Sequence, residues 1–207
     1  MQSWAMKIAE IFRSIQGEGK NQGYPCTFLR LAGCNLRCRW CDTPGAQSGG
    51  STREPQEIIR EIESLNGKRL CITGGEPLLQ GSQLLPLVRH MKEQGFLIEI
   101  ETNGTIDFRL YQPYASVCMD VKCPSSGEQS DLSLLAHVRG QDSIKFVVGT
   151  REDLQYAAGV MDHHPISGEV FFSPVEGSSS REVAEFLIAR DLPARLQLQL
   201  HKIIGVP

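Results

Sequence analysis

Two spacings of apolar residues alternate along the chain. Runs at residues 27–31 (TFLRL), 69–73 (RLCIT), 97–101 (LIEIE), 117–121 (VCMDV), 143–148 (SIKFVV), 170–173 (VFFS) and 196–200 (LQLQL) have strand length and are rich in β-branched or aromatic side chains. Between several of them the spacing becomes that of a helix. In PQEIIREIESLNG, Ile58, Ile59, Ile62 and Leu65 recur at helical intervals, with Pro55 near the start and Gly67 just past the end. Residues 82–94 predict a second helix stopped by Gly95, and residues 151–161 and 180–189 predict two more. Strands alternating with helices predict a parallel sheet of βαβ units, either open and doubly wound or curled toward a barrel; periodicity does not separate the two. Gly/Ser-rich stretches at residues 45–52 and 123–130 read as mobile loops.

A chain of 207 residues is long enough for one generous domain and short for two, so residues 1–207 are read as a single domain. A formal charge of −3 gives no broad basic field, which argues against tight binding of nucleic acid. The opening MQSWAMKIAEIF holds too short an apolar run for a secretory leader, and no run is long enough to cross a bilayer. A cytoplasmic location is therefore expected, where thiols stay reduced. The seven cysteines, an odd number, are then metal ligands, nucleophiles or small core residues rather than a disulfide framework.

Three of them, Cys34, Cys38 and Cys41, crowd into CNLRCRWC. Their spacing lets one tight loop wrap a compact metal centre, and thiolates suit zinc, copper(I) or an iron–sulfur cluster. A structural zinc site wants four ligands, whereas a cubane held by three leaves one iron open to a small molecule. Cys26, Cys71, Cys118 or Cys123 could fold back to complete a zinc site, which would make the chain a zinc-stabilised binding module. With Asn35, Arg37 and Arg39 the segment is too polar for a buried strand. Downstream, TGGEP follows the strand RLCI directly. Paired glycines there let a ligand approach the backbone, and exposed N–H groups can hold a carboxylate; the same residues would also serve as a plain strand-to-helix turn.

Together the two motifs resemble the radical S-adenosylmethionine (SAM) superfamily. Within it, the segments EIFRSIQGEGKNQGYPCTFLRLAGCNLRC, WCDT, TGGEP, IEIETNG and LQLHKIIGVP, spread over nearly the whole chain, resemble the 7-carboxy-7-deazaguanine synthase family. The resemblance implies an incomplete (β/α)6-type barrel, compact for its superfamily and assembled as a homodimer. It implies a [4Fe–4S] cluster on Cys34, Cys38 and Cys41, SAM on the open iron, Mg2+, and a flavodoxin or ferredoxin as reductant. The implied substrate is 6-carboxy-5,6,7,8-tetrahydropterin, whose ring is contracted to a deazapurine with loss of ammonia; the product feeds the queuosine or archaeosine bases of tRNA. The hard step breaks an unactivated C–H bond, which no side chain can do, so a radical cofactor supplies the reactivity and the protein supplies orientation. Glycyl-radical activating enzymes share the cysteines and GGEP. That alternative calls for a partner-protein surface and leaves Thr43 and Gln16 without a use.

Residue by residue, the resemblance implies that Trp40, Cys41, Asp42 and Gly75 contact SAM, with Trp40 near the adenine. Further SAM contacts carry over to Asp120, Val121 and Lys122 and to Ser173, Pro174, Val175 and Glu176. The first of these segments departs from the family's SPK and keeps only Lys122. Thr43 is implied as the Mg2+ contact; a neutral hydroxyl is a weak ligand, so the substrate carboxylate and waters must fill most of the octahedron. Ile15, Gln16, Gly17, Arg30 and Thr73 are implied at the pterin, together with the carboxylate of Pro207.

Overall fold

A computed structural model describes residues 4–207; the first three residues of the segment read above as lacking a leader lie outside it. The chain opens with a hairpin of β1 (Met6–Ile15) and β2 (Pro25–Leu31), to whose outer side β3 (Ser51–Arg53) adds. It continues through α1 (Pro55–Ser64), β4 (Arg69–Gly74), α2 (Gly81–Glu93), β5 (Leu97–Thr102), β6 (Ser116–Lys122), β7 (Ser143–Val148), α3 (Arg151–His163), β8 (Glu169–Pro174), α4 (Ser180–Arg190), β9 (Arg195–Leu196) and α5 (Leu200–Ile204). One nine-stranded sheet results, ordered β3-β1-β2-β4-β5-β6-β7-β8-β9. From β2 to β9 all neighbours are parallel, so six full-length parallel strands form an open, incomplete barrel with a two-residue stub at its far edge. Only some crossovers are α-helical: β5 to β6 has no helix and β6 to β7 has short 3-10 turns, which explains the compactness.

Each helix begins and ends where local chemistry allows. A reciprocal Glu54/Glu57 box opens α1 and a Thr150/Asp153 box opens α3. Ser179 caps α4, and Asp191 closes it in the left-handed region. Along the strands alternate side chains separate two environments. Leu70, Ile72, Ile98, Ile100, Ile144 and Phe146 pack under Ile58, Ile62, Val88 and Leu154 of the helices in one continuous core. Their neighbours in sequence face the other way, into the barrel.

Two expectations are corrected by this arrangement, and one strand goes unannounced. The strand expected over residues 196–200 exists only at Arg195–Leu196. There the alternation is inverted, because the barrel interior is polar: Gln197 is buried while Leu196 and Leu198 are exposed. The β1 segment, MKIAEIFRSI, is a full strand that the apolar pattern does not announce, since a bulge between Ile8 and Glu10 shifts its two-residue period midway. The two Gly/Ser-rich stretches are fastened. Ser51–Arg53 pairs with β1, and Ser126 is fully buried with its carbonyl accepting from Arg39 N at 2.9 Å.

Between β1 and β2, residues 16–23 fold into the barrel and bridge its open side. Gln197 holds this plug from the β9 edge, its Oε1 accepting from Gly19 N at 2.7 Å and its Nε2 donating to Gly19 O at 3.0 Å. Lys20 reaches Gly140 O and Glu169 beyond the gap. Among the described residues no helix is long and apolar enough to cross a membrane.

Candidate active site

A cavity of about 690 Å³ opens at the C-terminal ends of the parallel strands, where α/β barrels carry their chemistry. One wall is the cysteine loop. Cys34, Cys38 and Cys41 are half-buried, unpaired and border the cavity. The loop is seated by Arg37 N on Glu128 Oε1 (2.6 Å), by Cys41 N on Cys38 O (3.2 Å) and by Asn103, which donates to Asn35 Oδ1 (3.0 Å).

The remaining cysteines go elsewhere. Cys26 and Cys71 pack with Phe28, Cys118 lies in the barrel near Gly19, and Cys123 joins the helix-side core. Among the described residues the only set of three ligand atoms drawn within 4.8 Å of one another is Cys71, Glu99 and Glu101. Of the seven cysteines only Cys34, Cys38 and Cys41 border the cavity, and the other four are placed elsewhere in the fold. A soft donor set of three thiols around a larger centre fits an iron–sulfur cube and not structural zinc.

TGGEP locks this loop to the sheet. A Cβ on Gly74 would lie 2.1 Å from Leu31 O, and one on Gly75 would lie 2.1 Å from Gly33 O and 2.9 Å from Cys34 Cβ. The N–H groups of Gly75 and Glu76 donate to Leu31 O and Gly33 O, so neither is free for a ligand carboxylate. Gly75 still borders the cavity, but the close approach its bareness permits is to the cysteine loop. Glu76 is fully buried and accepts from Leu78 N (2.9 Å), Thr102 Oγ1 (2.9 Å) and Asn103 N (2.7 Å), which ties the ends of β4 and β5 together. Burial pushes its carboxyl up, against the pull of those three donors. Glu76→Ala orphans them and is expected to cost about 3 kcal/mol of stability. Denaturant titration showing a loss under about 1 kcal/mol would contradict this role.

The floor is built by β4, β5 and the plug. Glu101, which sequence reasoning did not single out, accepts from Thr73 Oγ1 at 3.0 Å and from Gln16 Nε2 at 3.1 Å. Its signal was available: in LIEIE two carboxylates two residues apart on a buried strand must share one face. Ile15 and Gly17 flank Gln16, and a Cβ on Gly17 would lie 1.8 Å from His201 Nδ1, so any side chain there would displace the His201 ring. The C-terminal segment covers this side. Leu200 N donates to Gly17 O (3.0 Å), Lys202 lies 3.3 Å from Glu176 and 3.6 Å from Asp42, and Ser14 Oγ donates to Pro207 O at 2.7 Å.

Across the cavity Thr43 Oγ1 donates to Asp42 Oδ1 (3.0 Å) and accepts from Arg30 Nη1 (3.4 Å), while Arg30 Nε donates to Glu10 (2.7 Å). Trp40 Nε1 donates to Ser125 Oγ (3.0 Å), leaving its ring beneath the Lys122 ammonium, 5.6 Å from the centroid. On the far wall Lys145 pairs with Glu18 and Asp120, and Lys122 also reaches Asp120 (3.4 Å). Burial opposes the charge on Lys145, yet Asp120 and Glu18 outweigh it and hold the ammonium well above its usual range. Burial likewise raises Glu18, and the Lys145 ion pair with the hydrogen bonds of Lys145 and Gln199 brings it below the ordinary carboxylate value. Glu18 and Gln199 lie within family-like segments but were assigned no role from sequence, and Lys145 lies in none of those segments.

Three residues expected at SAM do not border the cavity: Val121 packs in the helix-side core, and Ser173 and Pro174 are buried in β8. Asp120, Lys122, Val175 and Glu176 do border it.

The sequence model of the Radical SAM superfamily matches residues 29–121. A 7-carboxy-7-deazaguanine synthase of Methanospirillum hungatei JF-1 is 50% identical over 206 residues, covering 100% of this chain and 88% of that protein. One of the same name from Koribacter versatilis is 36% identical over 98% of each. Among solved structures, QueE from Escherichia coli superposes with a TM-score of 0.79 at 26% identity, covering 95% of both chains. Streptococcus suis SuiB bound to S-adenosylmethionine shares the fold alone, with a TM-score of 0.54 at 14% identity over 80% of this chain and 47% of that one. With a cysteine loop fit for a cluster, an open six-stranded barrel and full-length relatives at this identity, the chain belongs to the 7-carboxy-7-deazaguanine synthase family of the radical SAM superfamily.

Proposed function

We propose that this protein is a 7-carboxy-7-deazaguanine synthase, a radical SAM lyase converting 6-carboxy-5,6,7,8-tetrahydropterin to 7-carboxy-7-deazaguanine with release of ammonia, in the supply of queuosine or archaeosine. The observation that carries this reading is one cavity that joins the three-thiol loop to a floor of Glu101, Gln16 and Thr73. When bound, the cluster on Cys34, Cys38 and Cys41 together with SAM supplies the hydrogen-abstracting chemistry that side chains lack.

The chain's own groups position the substrate. Glu101 is acceptor-only when ionised, which matches the adjacent N–H donors of a pterin's amino-pyrimidine edge. Arg30 and Thr43 stand at the other rim, where the pterin carboxylate would lie. Thr43 would offer its hydroxyl to Mg2+ with the Asp42 carboxylate beside it, while Arg30, already paired with Glu10, would be left to orient the substrate carboxylate. The substrate carboxylate and waters would have to fill most of the metal's coordination shell, which would make metal and substrate binding interdependent. Trp40, Asp42, Asp120, Lys122, Val175 and Glu176 border the part of the cavity assigned to SAM. Gly75 would contribute there through its carbonyl, while Val121, Ser173 and Pro174, which do not border the cavity, would act only by holding their neighbours Asp120, Lys122 and Val175 in place. Ile15, Gly17 and Pro207 close around the pterin.

The reading takes residues 1–207 as one domain, supported by a single sheet and one main core, and takes its location as cytoplasmic, where thiols stay reduced. Exposed Arg37 and Arg39 beside the cluster loop suit an acidic flavodoxin or ferredoxin. Exposed Leu196, Leu198, Ile203 and Ile204 beside the sheet edge suit a homodimer contact.

The test is anaerobic reconstitution with SAM, reductant and the carboxytetrahydropterin, with and without Mg2+, followed by mass analysis. Cluster-loaded protein that consumes SAM yet leaves the pterin intact would overturn the assignment. Glu101→Gln is expected to weaken pterin binding roughly 10- to 100-fold, the worth of a hydrogen bond to a charged group, without lowering iron content. Equilibrium titration of the pterin checks it, and an unchanged dissociation constant would remove Glu101 from the substrate site.

A further inference from the structure

Two residues before Glu101 on β5, Glu99 points into the same barrel interior and is 4% exposed. Its Oε2 accepts from Gln16 Nε2 at 3.2 Å, and the other carboxyl acceptor of that nitrogen is Glu101 Oε1 at 3.1 Å. An amide nitrogen carries two hydrogens, and here three acceptors crowd it, the two carboxyl groups and, at 3.4 Å, Cys71 Sγ. Gln16 Oε1 is taken by Glu18 N at 3.3 Å. Gln16 therefore acts as a bridge between the two acids and has no hydrogen left for a substrate. On its far side Glu99 borders a second cavity of about 350 Å³ at the opposite end of the barrel, lined also by Asn21, Arg69 and Lys92.

The groups around Glu99 leave Glu101 as its main electrostatic neighbour. Cys71 on β4, Cys26 on β2 and Cys118 on β6 face it as thiols, each pushed up by burial and so uncharged. Lys145 on β7 acts from within the barrel but is held by Glu18 and Asp120. Asn21 of the plug donates a hydrogen bond, and Arg69 and Lys92 reach only the lower cavity. Two carboxyl groups that share one amide, one of them buried, do not both ionise readily, so the pair retains one proton. Burial, then the charge of Glu101, pushes Glu99 up to about 7.

We infer that Glu99 is a positioning residue for the pterin: its proton, held at the foot of the Gln16 bridge, leaves Glu101 as the single anion of the floor. The inference rests on the function proposed above. Substrate binding covers Glu101 and strips water from the pair, which penalises the doubly ionised form. Binding is therefore neutral to pH while Glu99 is protonated and must take up a proton once it is not.

The test measures the dissociation constant of the carboxytetrahydropterin for the cluster-loaded enzyme without reductant, across pH. In the wild type it stays level below about pH 7 and rises up to about tenfold per pH unit above it. In Glu99→Gln, which keeps the shape and cannot titrate, it stays at the low-pH value throughout. Infrared difference spectra of the protein alone should show a protonated-carboxyl stretch that disappears through the same range and is missing from Glu99→Gln. A level wild-type profile, a Glu99→Gln profile that climbs with the wild type, or no titrating stretch would each overturn the inference. Failure of the wild type to bind the pterin at any pH sinks the functional reading instead, and the infrared titration still decides where the proton sits.

Discussion

Cys38→Ala should give a colourless protein that keeps its fold and loses turnover by roughly 10⁶-fold or more, the least that enzymes of this kind contribute over the uncatalysed reaction. The reasoning is local. Cys38 is half-buried at the cavity wall, and the loop around it is fastened mainly through backbone groups and Glu128, so removing one thiol leaves those bonds in place. Cys71→Ala provides the contrast. Cys71 packs with Cys26 and Phe28, and its thiol lies 3.4 Å from Gln16 Nε2 and 3.5 Å from Glu101 Oε1, well away from the cysteine loop, so the change should cost about 1 kcal/mol of stability and leave iron and sulfide content unchanged. Iron and sulfide assays on anaerobic preparations check both. A Cys38→Ala protein with full iron, or a Cys71→Ala protein that loses its metal, would return the zinc alternative to consideration.

Lys145→Met should be the most destabilising single change in the barrel, by roughly 3–5 kcal/mol, the penalty for removing one partner of a buried pair. Lys145 has 6% of its side chain exposed and Glu18 11%, so water screens little of their interaction. Without the ammonium, two anions remain side by side, Glu18 with only the Gln199 amide as a partner and Asp120 with Lys122 at 3.4 Å. Adding Glu18→Gln to Lys145→Met should recover a large part of the loss, because it removes one of the two. The sign of the pH dependence follows from the shifts. Glu18 is lowered on folding, so its contribution is complete above its ordinary value of 4.5 and disappears as pH falls through the lower folded value. Lys145 is raised, so its contribution is complete below 10.5 and is lost only in strong alkali. The stability gap between wild type and Lys145→Met should therefore be widest near neutrality and narrow in acid. Denaturant midpoints measured across pH decide this; a gap under about 1 kcal/mol, or one that persists in acid, would show that the pair does not hold the plug.

Much of the candidate site was legible along the chain because its determinants are local. The cysteine spacing placed three thiols on one loop before any fold was known, and TGGEP marked a strand end needing bare backbone. The role of those glycines was legible only in part: they admit the cysteine loop, which lies about forty residues earlier in the chain, a contact no short window can report. The strand at β1 escaped apolar patterning because its bulge breaks the period, and LQLQL misled because the interior it faces is polar.

By itself the sequence determined the alternation of strands and helices, the helix limits set by Glu54, Thr150 and Ser179, and the thiol set that a cluster requires. These rest on interactions among neighbours a few residues apart. Only the tertiary structure decided which polar groups share the barrel. Lys145 meets Glu18 across 127 positions and Gln16 meets Glu99 across 83. Such pairs arise when the β1–β2 plug enters an incomplete barrel, and burial then makes each charge depend on a partner that proximity in sequence does not reveal.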